Sequence, residues 1–200
     1  MSFNEEILMK RCLFLANKGL GKTSPNPMVG AVIVFNGNII GEGYHKEYGG
    51  NHAEVEAINN VKNQKLLEKS TLYVNLEPCN HIGKTPPCSD LIVKKKIPNV
   101  IIGTVDPNPK VSGKGIQKLK ANKVKVRVGV LMDECNNLNK RFFCYYRNNR
   151  PYIILKWAES QDGFISPSNQ KDGEIFLITS NESRQLTHKW RTEEDSIAVG

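Results

Sequence analysis

The 200-residue chain has no uninterrupted apolar run near the ~18 residues that a membrane-spanning helix needs. Its first six residues, Met1 to Glu6, are acidic and lack the basic-then-apolar layout of a secretory signal. Together these absences point to the cytoplasm and away from a membrane. The five cysteines are an odd count, which argues against a disulfide scaffold and leaves reduced thiols free to bind metal. No internal repeat or low-complexity tract is present. Acidic residues are in deficit, 20 against 28 Lys and Arg, giving a formal net charge of +8. Lys94-Lys95-Lys96 and the stretch from Lys114 to Arg127 carry much of that charge. It reads either as a solvated basic face or as attraction for an anionic substrate, a phosphate ester or a nucleic acid.

The hydrophobic content is 39%, an ordinary value, and the length allows one or two domains. Apolar spacing predicts a helix over 5–18, closed by Gly19. After the turn Ser24-Pro25-Asn26-Pro27, two apolar runs, 29–35 and 38–43, meet at Asn36-Gly37, the strongest short hairpin signal. A helix is predicted over 52–62, a strand over 71–76 broken by Glu77-Pro78, and a helix over 88–96. A strand over 99–105 ends at Asp106-Pro107-Asn108-Pro109. A helix over 116–121, a strand over 124–130 and a helix over 131–146 follow. Helices alternating with strands predict an α/β layered domain opened by a hairpin, with its site at the strand ends.

Arg147-Asn148-Asn149-Arg150-Pro151 is polar and closes on proline, which sets domains at 1–146 and 152–200 with a linker at 147–151. In the second segment, strands are predicted over 152–158, 174–179 and 195–200, with a helix over 183–190. About fifty residues with strands only begun are expected to be an incomplete domain.

The chemistry concentrates in His52-Ala53-Glu54 and in the segment from Pro78-Cys79 to Cys88. His52, Cys79 and Cys88 supply one imidazole and two thiolates, a three-ligand set that leaves a tetrahedral zinc one open position. Glu54, two residues from His52, is the candidate proton carrier and not a ligand. Zinc nucleobase deaminases carry H-x-E followed by P-C-x-x-C. Here eight residues separate Cys79 from Cys88, not two. A longer loop still delivers both thiolates, because closure entropy grows slowly with length. Taken singly, His-x-Glu at a helix start is a common capping or surface pattern. A structural zinc site closed by His45 or His81 is the alternative for the cluster. Cys12, Cys135 and Cys144 read as packing or surface residues.

At these residues the chain resembles the bifunctional deaminase–reductases of riboflavin biosynthesis, the RibD family. The resemblance rests on Ser24 to Gly30, Gly43-Tyr44-His45, His52-Ala53-Glu54, Asp106 to Pro109 and above all the long loop ending Gly83-Lys84-Thr85-Pro86-Pro87-Cys88. It implies a three-layer α/β/α cytidine-deaminase-like domain with a central mixed sheet, followed by the incomplete start of an α/β reductase domain. It implies Zn2+ on His52, Cys79 and Cys88, Glu54 as proton shuttle, and Asn26, His45, His81, Lys84, Asp106 and Asn108 as substrate contacts. The implied substrate is 2,5-diamino-6-ribosylamino-4(3H)-pyrimidinone 5′-phosphate, deaminated at its 2-amino group. In residues 152–200 the pieces Leu155 to Ala158, Ser160 to Gly163, Ile178 to Ser180 and Arg184 to Arg191 resemble the reductase half. There Arg191 is implied as a phosphate contact and Ala158 as lining an NADPH site. Leu177 departs from the tryptophan that many relatives place there, and Gln161 replaces a common leucine. The segment as it stands is not expected to reduce substrate.

The implied partners are a small phosphorylated pyrimidine and, optionally, a second copy of the chain, with no membrane and no nucleic acid. Two other readings stay open at this point. One is a tRNA or nucleoside deaminase, favoured by the basic charge. The other is a non-catalytic nucleic-acid-binding module with structural zinc, although neither an RNA-binding aromatic motif nor zinc-finger spacing is present.

Overall fold

Asn36 and Gly37 adopt φ of +48° and +77°. Two consecutive left-handed residues make the tight turn whose twist matches a β-hairpin. They join β1 (Gly30–Phe35) to β2 (Asn38–Tyr44), paired antiparallel from Phe35↔Asn38 to Gly30↔Tyr44 with an irregularity between Ile33 and Val34. The computed structural model describes residues 3–81, 86–167 and 176–199.

β1 also pairs antiparallel with β3 (Thr71–Leu76). β3 pairs parallel with β4 (Asn99–Thr104), and β4 with β5 (Lys125–Val128). The sheet order is β2-β1-β3-β4-β5. The two parallel pairs enclose α3 (Cys88–Lys94) and α4 (Lys114–Ala121), because a parallel return needs a crossover connection. α1 (Phe3–Asn17) and α2 (Ala53–Asn59) precede them.

Strand side chains alternate between two apolar layers. Ala31, Ile33, Leu72, Val74, Val100 and Ile102 face Ala57 and Ile58 of α2, Ile92 of α3 and Leu119 of α4. Val32, Val34, Tyr73 and Ile101 face Met9 and Cys12 of α1 and Cys135 of α5 (Met132–Leu138). The result is the expected three-layer arrangement around a mixed sheet. Each of the three inner strands is buried along nearly its whole length, which is why their sequences are largely apolar, with Asn75 a polar exception inside β3.

Two expectations change in this unit. The helix foreseen over 131–146 is two helices, α5 and α6 (Lys140–Asn148), with Asn139 between them. Asn139 turns inward instead. Its Oδ1 accepts the Met28 N–H at 2.8 Å and its Nδ2 donates to the Met28 carbonyl at 2.9 Å. α2 stops at Asn59, short of Lys62, and an unforeseen 3₁₀ turn occupies Gln64–Lys69.

The chain divides into two compact units between Tyr152 and Ile153. The second unit holds α7 (Asn181–Arg191), whose N-terminus is capped by Ser180 Oγ accepting the Ser183 N–H at 3.3 Å. A tight turn at Ser160–Phe164 is closed by Ser160 N–H to the Phe164 carbonyl at 2.8 Å. The strands foreseen over 152–158, and over the described parts of 174–179 and 195–200, are not formed. A strand exists only against a partner's N–H and C=O groups, and no described residue of this unit is paired in a sheet. Ile153, Leu155 and Trp157 accordingly lie exposed. Among the described residues no helix is long and apolar enough to cross a membrane.

α2 rests on β2 at backbone distance. A Cβ on Gly43 would lie 2.4 Å from the Ala57 nitrogen and 2.7 Å from the Ala53 carbonyl oxygen. Gly43→Ala is therefore expected to lift α2 and lower stability by about 1–3 kcal/mol, the usual range for overpacking. Urea unfolding should show a lower midpoint at unchanged slope. An unchanged midpoint would show that α2 does not depend on this contact.

Candidate active site

Three chain segments converge beyond the C-terminal end of β3, the central strand of the sheet. His52 is the N-cap residue of α2, extended at φ −72°, ψ 159°, and Glu54 follows in the first turn. Cys79 leaves β3 behind Pro78, whose ring cannot continue the strand ladder. Cys88 opens α3 immediately after Pro87. The start of α3 is tied to the strand exit by three bonds. The Cys88 N–H donates to Cys79 Sγ at 3.3 Å, Ser89 N–H to the Cys79 carbonyl at 3.1 Å, and Ser89 Oγ to Asn80 Oδ1 at 3.2 Å.

His52 Nδ1 lies 3.6 Å from Cys79 Sγ and 3.3 Å from Cys88 Sγ, and the three donor atoms sit within 4.8 Å of one another. Zinc held tetrahedrally at ~2.0 Å from nitrogen and ~2.3 Å from sulfur separates such donors by about 3.6 Å. The set fits the ion in spacing as well as in softness. His45 does not close the site as a fourth ligand. Its Nδ1 faces the Asn51 carbonyl at 2.9 Å, which can only accept, so Nδ1 carries the proton. The bare Nε2 then accepts from Asn26 Nδ2 at 3.1 Å. Burial holds the His45 pKa below the usual histidine value, consistent with a neutral ring. His81, the other alternative ligand, is exposed.

The electrostatics concentrate unusual protonation states here. Burial pushes the Glu54 carboxyl up to about 7, and Glu54 is only 3% exposed. Burial likewise raises Asp106 to about 7. The hydrogen bond with Cys79 raises His52 to about 8. The Cys79–Cys88 pair shares its proton unequally. Hydrogen bonding from Cys88 draws Cys79 down to about 4, while the same bond and burial push Cys88 well up. A bound dication deprotonates coordinating thiols and lowers neighbouring acids.

The remaining expected residues divide into four groups. Asn26 and His45 pair with each other, and the His45 ring stands edge-on to His52 at 5.5 Å between centroids. Asp106 is buried beyond β4 within the electrostatic reach of Cys79, and its Oδ1 accepts the Asn108 N–H at 2.8 Å. Asn108 Nδ2 donates to the Tyr146 hydroxyl at 3.2 Å, and its Oδ1 accepts the Lys110 N–H at 3.0 Å. Lys84 lies outside the described residues. Ala158, half-buried, and Arg191, exposed at the end of α7, belong to the second unit.

Sequence reasoning missed four residues that shape this region. Asn75 and Asn139 grip the Met28 backbone and so fix the loop bearing Asn26. Asn75 Oδ1 also accepts the Gly30 N–H at 2.8 Å. Tyr146 contacts Asn108, and Glu77 anchors the segment beyond Asp106. Asn75 inside a buried strand was the one visible signal, since a polar residue there must have partners.

Residues 2–104 match the family described as the cytidine and deoxycytidylate deaminase zinc-binding region. The riboflavin biosynthesis protein RibD of Aquifex aeolicus is 46% identical over 192 residues, covering 96% of this chain and 52% of that protein. The diaminohydroxyphosphoribosylamino-pyrimidine deaminase of Buchnera aphidicola subsp. Schizaphis graminum is 49% identical over 147 residues, covering 74% of this chain and 99% of that protein. The solved structure of Acinetobacter baumannii RibD superposes with a TM-score of 0.87 at 39% identity, covering 94% of this chain and 52% of that one. The chain thus spans about half the length of the RibD relatives it matches. The matched deaminase region, its zinc-fitting His-Cys-Cys cluster and the sheet order lead to one assignment: the chain belongs to the cytidine and deoxycytidylate deaminase zinc-binding family, in the branch of the riboflavin-biosynthesis deaminases.

Proposed function

We propose that the first unit deaminates 2,5-diamino-6-ribosylamino-4(3H)-pyrimidinone 5′-phosphate by hydrolysis, giving 5-amino-6-(5-phosphoribosylamino)uracil and ammonia. The observation that carries this reading is the buried Glu54 carboxyl beside three donors spaced for one zinc ion. His52, Cys79 and Cys88 hold the metal. When bound, zinc supplies Lewis acidity and a water acidified toward neutral pH. Glu54 takes the proton of the attacking water on its carboxylate and delivers it to the departing nitrogen. A carboxyl pushed toward neutrality by burial suits a group that must both accept and give back a proton.

Asn26 keeps one amide hydrogen and its Oδ1 beyond the His45 bond, and these pair with the pyrimidine edge or a ribose hydroxyl. His45, locked as the Nδ1–H tautomer, fixes the direction of that amide. Asp106 accepts from ribose hydroxyls, Lys84 holds the phosphate as a point charge, and His81 is a further substrate contact. In the second segment Ala158 and Arg191 are assigned to the NADPH and phosphate contacts of a reductase half, complete only in a longer parent. Domains at 1–146 and 152–200 are proposed, and the division between compact units after Tyr152 supports a two-domain reading of the chain. A cytoplasmic setting keeps the thiols reduced for metal binding.

Ammonia release from the zinc-loaded protein tests the reading. It is expected with the diaminopyrimidinone phosphate and absent with tRNA and cytidine; release from tRNA alone would overturn it. Glu54→Gln should retain about one zinc per chain and lose roughly 10²–10⁴-fold in turnover. Near-wild-type turnover would remove Glu54 from the proton path.

Glu54 also leaves a signature after metal removal. Its folded pKa, about 7, lies above the usual 4.5, so the folded state holds a proton that the unfolded chain releases. Its stability contribution is complete below about 4.5 and is lost as pH rises through about 7. Glu54→Gln removes that loss. In chelator-treated protein, the variant's stability relative to wild type should climb between pH 4.5 and 7.5, by an amount on the order of a few kcal/mol. A pH-independent difference in thermal midpoint would show that Glu54 is not buried as described.

A further inference from the structure

We propose that Glu77 is a positioning residue whose carboxylate fastens the loop carrying Asp106 and Asn108 to the segment carrying Cys79, so that the metal-binding and substrate-binding halves of the site are held as one piece. The proposal rests on the deaminase reading for its kinetic consequence and on geometry alone for the fastening itself.

Glu77 is 3% exposed and follows the last residue of β3. Its Oε2 accepts the N–H of Asp106 at 3.3 Å and of Gly113 at 2.9 Å, and its Oε1 accepts the N–H of Ile116 at 3.1 Å. Its own N–H donates to the Thr104 carbonyl at 3.0 Å. Main chain and side chain of one residue therefore grip both ends of the connection from β4 to α4. Three N–H donors need acceptors, and a carboxylate is the side chain that offers only acceptors.

The need for such a group is local. α4 starts at Lys114 behind Gly113, which sits in the left-handed region at φ +77° and has no side chain to cap the helix. The N–H groups of the first turn are left without partners inside the helix. Glu77, 36 residues away in sequence, takes the place of an N-cap side chain, and its negative charge faces the positive end of the helix. The same helix start is seated directly on the Glu77-Pro78 backbone. A Cβ on Gly115 would come 2.0 Å from the Pro78 carbonyl oxygen. Pro78 leads straight into Cys79, and the clamped loop leads from Asp106 through Asn108, which contacts Tyr146. The substrate residues of this loop are thereby referenced to a metal ligand through a single carboxylate.

Glu77→Gln tests this. The amide keeps one acceptor oxygen but turns N–H groups toward N–H donors. With the zinc-loaded variant and the diaminopyrimidinone phosphate, KM should rise about tenfold while kcat stays within about threefold and zinc stays near one per chain. In an Asp106→Ala background the same change should raise KM by no more than about twofold, because the two act through one loop. Hydrogen exchange at the Gly113 and Ile116 amides should quicken about tenfold or more, with the amides of Leu72 and Val74 in β3 unchanged. Loss of zinc, a fall in kcat at constant KM, full additivity with Asp106→Ala, or unchanged exchange at Gly113 and Ile116 would each overturn the proposal. Glu77→Asp, which keeps the charge and shortens its reach, carries the same measurements if Glu77→Gln does not fold. Wild-type protein that released no ammonia from this substrate would sink the deaminase reading alone, and the exchange measurement would still decide the fastening.

Discussion

Two thiols and an imidazole must stay within one ion's reach of each other, and nothing local to any of them can guarantee it. His52 and Cys88 stand at the starts of α2 and α3, each only seven residues long. Helices of that length are not stable alone in water. Their positions come from the sheet: Ala57 and Ile58 of α2 and Ile92 of α3 are fully buried against Ala31, Ile33, Leu72 and Val74. Cys79 follows the end of β3, the central strand, which lies between β1 and β4. The apolar layer under α2 and α3 is thus what sets the metal geometry. Gly43 contributes by letting α2 approach β2 at backbone distance.

Polar groups inside the fold do a different job from the apolar layer. Burial rewards any close packing, but it does not choose between neighbouring registers. Asn75, Asn139 and Glu77 do choose, because each accepts or donates to particular backbone atoms. Among the described residues no buried side-chain nitrogen or oxygen lacks a partner. A shift of the Met28 loop or of the α4 start would leave several of them unpaired at once, at a cost of about 1–3 kcal/mol each. That cost holds Asn26 and Asp106 at defined distances from the metal cluster.

Legibility in the sequence follows the same division. Asn36-Gly37 and the largely apolar runs of β1, β3 and β4 are local patterns, and each appeared where expected; His-x-Glu and the two cysteines are short motifs, but their meeting across 27 and 36 residues is made by the fold. The partners of Asn139 and Glu77 lie 111 and 36 residues away, and no local pattern encodes them. Asn139 broke a helix that its neighbours' periodicity continued, because its amide was needed at Met28. The described parts of the strands expected from Tyr152 onward are unpaired for a related reason. A strand is a relation between two segments, and apolar alternation in one of them does not create the other.

The charges of the site fix how its parts depend on one another. Before metal enters, two thiols, Glu54 and Asp106 crowd a buried volume. The structure answers by keeping Cys88, Glu54 and Asp106 toward their protonated forms, while Cys79 alone is drawn toward thiolate beside a readily protonated His52. A dication held by two thiolates and a neutral imidazole sums to zero charge, so loading the site must release the protons those ligands carried. Metal affinity therefore strengthens as pH rises, up to the point where hydroxide competes for the ion. Once the ligands and ion cancel, Glu54 and Asp106 are left as ionisable groups beside a neutral cluster, Glu54 the nearer to His52 in the chain. The charge of Glu54 is then opposed mainly by its own burial, and a carboxylate in that position can accept a proton at little electrostatic gain and surrender it at little loss. The burial that makes Glu54 costly to the empty fold is the property that suits it to carry a proton in the filled one.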